Sequence, residues 1–210
     1  MRTIRNAHAG MFGLFDHADR YDQLASRLLH GLYARVAADV AAAGLDDGAQ
    51  VLDVGTGPGR VPLAIAQALP GLRVEGLDLS AEMIARARRN AADAALDDRV
   101  RFTVGDVADL PHPDATFDLI VSTMSQHHWP DAAAGFRELR RVLRPGGQIW
   151  IYDLRFALGR AEAAARGAFP APDLHRELLR TGRLPVRLLG RLAIAPVEVR
   201  HQRQRYKQAR

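Results

Sequence analysis

Ten residues, Val51-Leu-Asp-Val-Gly-Thr-Gly-Pro-Gly-Arg60, limit what this chain can fold into more than any others. The β-favouring Val51, Leu52 and Val54 run into glycines at 55, 57 and 59, and an apolar helical pattern follows at once. Glycine allows a tight turn and lets backbone approach a ligand with no Cβ in the way. A strand that feeds a helix through such a turn aims free N–H groups and the positive helix end at whatever binds there. The spacing here is Asp-x-Gly-x-Gly-x-Gly, with Asp53 two residues ahead of the first glycine. A pyrophosphate loop gains nothing from an anion at that point, whereas a loop holding a cation does. A dinucleotide fingerprint also requires Gly-x-Gly-x-x-Gly, and its third glycine would fall on Arg60.

Strand and helix patterns alternate on both sides of this loop. The sequence predicts strands at 50–54, 73–78, 99–104, 117–122 and 148–153, with helices at 59–69, 80–95 and 131–143. Ser80 is placed to cap a helix, and Pro70-Gly71 and Pro145-Gly146-Gly147 are breaks. Such alternation gives parallel βαβ units and an α/β doubly wound sheet, whose ligands lie beyond the carboxyl ends of the strands. Ahead of it, residues 1–45 read as helical, with Leu24, Leu28, Leu32, Val36 and Val40 forming one face and Gly44 stopping the run. Beyond Asp153, segments 157–168 and 173–181 are expected to be helical, and 192–199 with 203–208 to form a closing hairpin.

A length of 210 residues, 48% hydrophobic, suits one domain with a cap. The chain has no cysteine, so disulfides and thiolate metal sites are excluded and a reducing, cytoplasmic setting is the expectation. No apolar run reaches the length of a membrane span or a signal-peptide core. Charge is uneven: residues 176–210 carry ten Lys+Arg against two Glu, while the first 175 have a balance of −3. Every basic residue but Lys207 is arginine and Tyr206 is the tail's one aromatic, which reads as compositional bias rather than a nucleic-acid platform.

The remaining strand ends carry more chemistry. Asp78 closes the second strand 25 residues after Asp53, and an ionised carboxylate can accept both hydroxyl protons of a ribose. Gly105-Asp106-Val107 follows the third strand, and Phe117-Asp-Leu-Ile-Val-Ser-Thr-Met-Ser-Gln-His-His-Trp-Pro130 contains the fourth and its loop. A histidine titrates near neutrality, so His127 or His128 is a candidate base; neighbours on a loop point apart, so at most one serves. No cluster at metal-ligand spacing accompanies them.

The stretch from 50 to 153 resembles the class I S-adenosylmethionine-dependent methyltransferases, in their small-molecule branch that includes quinone-precursor enzymes. It carries their Asp-x-Gly-x-Gly-x-Gly motif, and Leu143-Arg-Pro-Gly-Gly147 matches their turn into the fifth strand. The resemblance implies a mostly parallel seven-stranded Rossmann-like sheet with S-adenosylmethionine as cofactor and S-adenosylhomocysteine as product. It also implies a helical lid over residues 1–45 and a cofactor-binding domain over 46–210, with an acceptor-side helical insertion at 155–190. Asp53, Gly55, Thr56, Gly57 and Gly59 would face the methionine part and Asp78 the ribose. Gly105, Asp106 and Val107 would meet the adenine, with Leu79 and Met83 beside it; Ser122 is a further contact, and Tyr21 closes over the methionine end. Ser122 to Ser125 replace the Asp/Asn-Pro-Pro-Tyr of enzymes that methylate nucleobase amines, so a small-molecule acceptor is expected in place of nucleic acid. The open alternatives are an RNA methyltransferase using the basic tail and a cofactor-binding module without turnover. Oligomeric state is not indicated.

Overall fold

A computed structural model describes residues 18–179 and 188–196. The elements in chain order are α1 (Ala18–Ala42), β1 (Gln50–Val54), α2 (Arg60–Ala68), β2 (Arg73–Asp78), α3 (Ala81–Asp93), β3 (Val100–Val104) and β4 (Phe117–Thr123). A 3-10 turn (Gln126–His128) follows, then α4 (Ala132–Val142), β5 (Leu143–Leu154), α5 (Leu158–Ala168), β6 (Pro172–Leu178) and β7 (Leu189–Pro196). The sheet order is β3-β2-β1-β4-β5-β7-β6. Strands β1 to β5 pair in parallel, and β7 is antiparallel to both β5 and β6. Strand order reverses between β1 and β4, and the glycine loop leaves the sheet there.

One apolar cluster joins α1, α2 and α3 to one face of the sheet through Val36, Val40, Ile65, Ile84, Val51 and Val121. A second joins α4 and α5 to the other face through Phe136, Leu139, Leu158, Leu52 and Ile151. Consecutive β1 residues serve opposite clusters, as the two-residue period of a strand requires. Ser80 accepts a hydrogen bond from the Met83 N–H at the start of α3, and Asp131 accepts one from Ala134 at the start of α4.

Two expectations differ from the structure, and one lies partly outside the described residues. Leu24 and Leu28 are half exposed, although Leu32, Val36 and Val40 are buried. A strict four-residue spacing drifts about 40° per step around a helix of 3.6 residues per turn. The buried face runs instead through Ala18, Asp22, Ala25, Leu32, Val36 and Val40. Residues 173–179 are not helical: 172–178 form the edge strand β6, so the sheet continues into the segment expected to be a helical insertion. The closing strand β7 pairs with β5 and β6 from within 189–196, while 1–17, 180–187 and 197–210, including the second arm of the expected hairpin, lie outside the described residues.

Helix α1 is fixed at both ends by charge. Asp22, fully buried, accepts hydrogen bonds from Arg60 Nε and Nη2 at 2.7 Å each, from Arg86 Nε at 2.9 Å and from Asn90 Nδ2 at 3.1 Å. Asn90 also donates to the carbonyl of Pro58, inside the glycine loop, at 2.8 Å. At the other end Asp39 accepts from Arg35 and from the Tyr152 hydroxyl, and pairs with Arg191. Burial by itself would raise the Asp22 carboxyl; the bonds from Arg60, Arg86 and Asn90 outweigh it and hold the group below the usual carboxylate range.

Asp22→Ala would leave two guanidinium groups without their buried partner. The expected loss is about 3–5 kcal/mol in denaturant unfolding. Because the folded-state value of Asp22 is depressed, its contribution is complete above the usual aspartate value of 3.8 and disappears as pH falls through the lowered one. The difference between wild type and variant should therefore shrink only in that acid range.

Candidate functional site

The C-terminal ends of β1 and β4 and the first half of α1 enclose a cleft. Its walls include Tyr21, Leu29 and Tyr33 of α1, Asp53 and Gly55 to Pro58 of the loop, Arg60 and Val61 of α2, and Thr123 with Met124 after β4. The loop is held by the Gly55 and Thr56 N–H groups, which donate to Leu77 O at 2.8 and 3.0 Å. Gly55 has φ of 72°, and a Cβ there would collide with the Ser125 side chain. Gly59 has φ of 78° and caps α2 with its would-be Cβ 2.7 Å from the Phe102 ring. Both positions therefore need glycine for backbone and for space.

Asp53 is buried at the floor of the cleft. Its Oδ2 accepts from Thr56 Oγ1 at 2.7 Å, while its Oδ1 has no hydrogen-bond partner. Burial pushes the carboxyl up to about 7, against the Thr56 bond and reinforced by Asp78. The Thr123 Oγ1, also on the cleft wall, is likewise buried and unpartnered. Around them lie the apolar Leu29, Val61 and Met124. An unpaired buried acceptor beside apolar wall suits a ligand that brings a cation on a hydrocarbon chain. An α-amino acid with a thioether-type chain has that form, so the residues present fit the amino-acid end of S-adenosylmethionine.

Asp78, at the end of β2, accepts from the Gly57 N–H at 2.8 Å and the Ser80 N–H at 2.9 Å. Burial raises its carboxyl in spite of these bonds. Tyr21 projects from α1 toward the same loop, its ring 3.9 Å from where a Gly57 Cβ would be. Burial, with Asp78 and Asp22 adding to it, raises the Tyr21 phenol, so it stays protonated at neutral pH.

Beyond β3, Asp106 is exposed and accepts from the Ala108 N–H at 2.9 Å. Gly105 donates to Asp78 O at 3.0 Å, which ties the third strand end to the second. Val107 packs against the second apolar cluster. Leu79 is 69% exposed and forms open apolar surface, whereas Met83 is buried at 3% exposure.

One expected contact is placed elsewhere. Ser122 is fully buried, and strand alternation turns it, with Ile120, toward the second apolar cluster and away from the cleft. Thr123 and Met124 line the cleft in its place. Leu29 and Tyr33 carried no sign in the sequence as cleft residues, and Arg60 carried only its place after the third glycine. Burial, followed by the neighbouring Tyr21, Asp22 and Asp53, raises the Tyr33 phenol.

The loop after β4 carries the two histidines. His127 Nδ1 lies 2.7 Å from Asp153 Oδ1, and the His127 N–H donates to Asp153 Oδ2 at 3.1 Å. Asp153, at the end of β5, is fully buried and also accepts from the Leu154 N–H. His128 is exposed, with its ring centroid 3.9 Å from that of His127. Trp129 Nε1 donates to Ser125 Oγ, and Arg160 of α5 donates to Trp129 O, so the loop is tied down at several points. Among the described residues no group of His, Cys, Asp or Glu could hold a metal ion, and no helix is long and apolar enough to cross a membrane.

The sheet order and the acid-glycine loop define a nucleoside-cofactor fold of the doubly wound class. Residues 51–147 match a family described as a methyltransferase domain. The chain is 40% identical over 106 residues to a 27-O-demethylrifamycin SV methyltransferase of Amycolatopsis mediterranei, covering 50% of this chain and 39% of that one. It is 34% identical over 139 residues to a demethylmenaquinone methyltransferase of Thermus thermophilus, covering 65% of this chain and 61% of that one. A crystal structure from Methanococcus maripaludis, provisionally assigned as an S-adenosylmethionine-dependent methyltransferase, superposes with a TM-score of 0.73. It is 23% identical, with 86% of this chain and 92% of that one covered. The chain thus spans between two fifths and three fifths of these two curated relatives. Residues 51–147 thus match a methyltransferase-domain family, and the fold and the glycine loop agree with that match.

Asp53→Asn separates the electrostatics from the packing. The Asp53 value in the fold is raised, so its contribution to stability is complete below 3.8 and is lost as pH rises through about 7. At pH 8 the ligand-free variant should unfold later than wild type, by on the order of a few kcal/mol, and the gain should vanish near pH 4. A variant less stable than wild type at pH 8 would contradict the buried, uncompensated charge.

Proposed function

We propose that the chain is an S-adenosylmethionine-dependent methyltransferase acting on a small-molecule acceptor. The observation that carries this reading is Asp53 Oδ1, an unpaired buried carboxylate oxygen on the floor of a glycine-loop cleft. That oxygen would take the ammonium of the cofactor, with Thr123 Oγ1 as a second polar contact. Gly55, Thr56 and Gly57 would line the methionine chain under Tyr21, while Asp78 would accept the ribose hydroxyls. Gly105, Asp106 and Val107 would border the adenine, with Leu79 against its face. The bound cofactor supplies a methyl group already activated by positive sulfur.

What remains for the protein is to hold an acceptor atom in line with that methyl and to keep water out. The fixed position of α1 serves both, since it closes one side of the cleft without needing to fold on binding. The curated relatives support a metabolite acceptor: one is named for an O-demethylated rifamycin and one for a demethylated menaquinone.

Calorimetry with S-adenosylmethionine and S-adenosylhomocysteine tests the reading directly. Both should bind. Asp78→Ala removes the two charge-assisted ribose contacts and should weaken S-adenosylhomocysteine about 10- to 100-fold. Absence of heat with either form would overturn the assignment.

A further inference from the structure

Two carboxyl groups stand beside the glycine loop, and their hydrogen bonds suit them to different charge states. Asp78 accepts at both oxygens, from the Gly57 N–H at 2.8 Å and from the Ser80 N–H at 2.9 Å. Backbone N–H groups only donate, so this arrangement favours the ionised form. Asp53 has one partner, the Thr56 hydroxyl at Oδ2, and none at Oδ1. A hydroxyl can donate or accept, so that contact serves a protonated Asp53 as well as an ionised one. The surroundings add no counter-charge. From α1 the cleft receives Tyr21 and Tyr33, whose phenols burial raises, so both are neutral at neutral pH. Asp22, on the same helix, is committed to Arg60, Arg86 and Asn90. From α2 comes Arg60, the one cation among the described cleft residues, with its Nε and Nη2 turned to Asp22. The end of β4 contributes Thr123 and Met124, which carry no charge, while β2 contributes Asp78, a like charge. An ionised Asp53 in the empty cleft would thus be 1% exposed with no cation free to face it. Burial, with Asp78 adding to it, outweighs the Thr56 bond and pushes the carboxyl up to about 7.

We propose that the empty cleft holds a proton on Asp53 and that the cofactor's ammonium takes its place, so that binding releases one proton and strengthens as pH rises. The proposal rests on the methyltransferase reading above. The exchange balances in charge: a neutral carboxyl becomes a carboxylate as one ammonium arrives, and the proton goes to solvent. S-adenosylmethionine and S-adenosylhomocysteine share the same amino-acid end, so both are subject to it. An ammonium beside Asp53 favours its ionised form. By linkage, affinity must then fall wherever the free protein is protonated and the complex is not, which is the range below about 7. A carboxylate at the ordinary value of 3.8 would show none of this near neutrality. The buried acid thus makes occupancy of the site sensitive to pH in the neutral range.

Two measurements test this on the full chain. In the first, S-adenosylhomocysteine is titrated calorimetrically at pH 6 and at pH 8, each in two buffers of different ionisation heat. The difference in heat between buffers counts the protons released. About one proton should appear at pH 6 and close to none at pH 8, with affinity about tenfold weaker at pH 6. Equal affinity at both values with no proton released at pH 6 would overturn the proposal. Failure to bind at either pH would instead remove the reading on which it rests.

In the second, infrared spectra at pH 6 assign the proton to its residue. The free wild type should show the carbonyl band of a protonated carboxyl group, and saturating S-adenosylhomocysteine should remove it. Free Asp53→Asn should lack that band, a readout that does not depend on the variant binding ligand. If the band that vanishes on binding persists in free Asp53→Asn, another acid such as Asp78 carries the proton and the proposal falls.

Discussion

The cleft exists in this form because one buried carboxylate holds four pieces of chain together. Asp22 binds Arg60 at the start of α2, Arg86 and Asn90 on α3, and through Asn90 the Pro58 carbonyl of the glycine loop. A fully buried ion is costly to desolvate, and it persists only where its partners satisfy it completely. Each oxygen of Asp22 is bonded here. Without that arrangement the first half of α1 would rest on α2 and α3 mainly through its apolar face. With it, Tyr21 is held beside Gly57, and Leu29 and Tyr33 line the cleft. The helix is clamped again at its far end by Asp39 to Arg191 and Tyr152 and by Arg35 to Glu177.

How much of this could be read from sequence follows from the range of each interaction. The glycine loop, the strands from β1 to β5 and the helices between them are local patterns. Each was legible because periodicity and turn chemistry act over a few residues. β6 was not. In Pro172–Leu178 most side chains are exposed on both faces, so no two-residue alternation is written into the sequence, and Leu174 with Leu178 mimic a helical pair. Pairing with β7 decides its structure, and that is a tertiary fact. The stripe on α1 failed for the complementary reason. Its true buried face includes an aspartate, which no apolar template would count.

The candidate site divides along the same line. Asp53, the glycines and Asp78 sit where their local motifs predict. Asp22 meets its partners 38 to 68 residues away, and Asp153 meets His127 across 26 residues. No spacing rule links such pairs in a single sequence. Ser122 and Thr123 show how finely the outcome depends on register. The two are adjacent and chemically similar, yet strand alternation sends one toward each face of the sheet, and only Thr123 reaches the cleft.

Charge in the cleft completes the argument. Arg60 stands on its wall and is the one cation there among the described residues. Were its guanidinium turned to Asp53, that carboxylate would be neutralised from within and would offer little to a cationic ligand. Asp22 prevents this by taking Arg60 in two parallel hydrogen bonds, the strongest geometry the pair has. Asp53 is left with a threonine hydroxyl as its sole bonded partner, and with a second carboxylate, Asp78, raising it further. The ion pair that fixes α1 is thus also what keeps the floor of the cleft short of positive charge, and a ligand bearing an ammonium and a sulfonium supplies what the fold withholds.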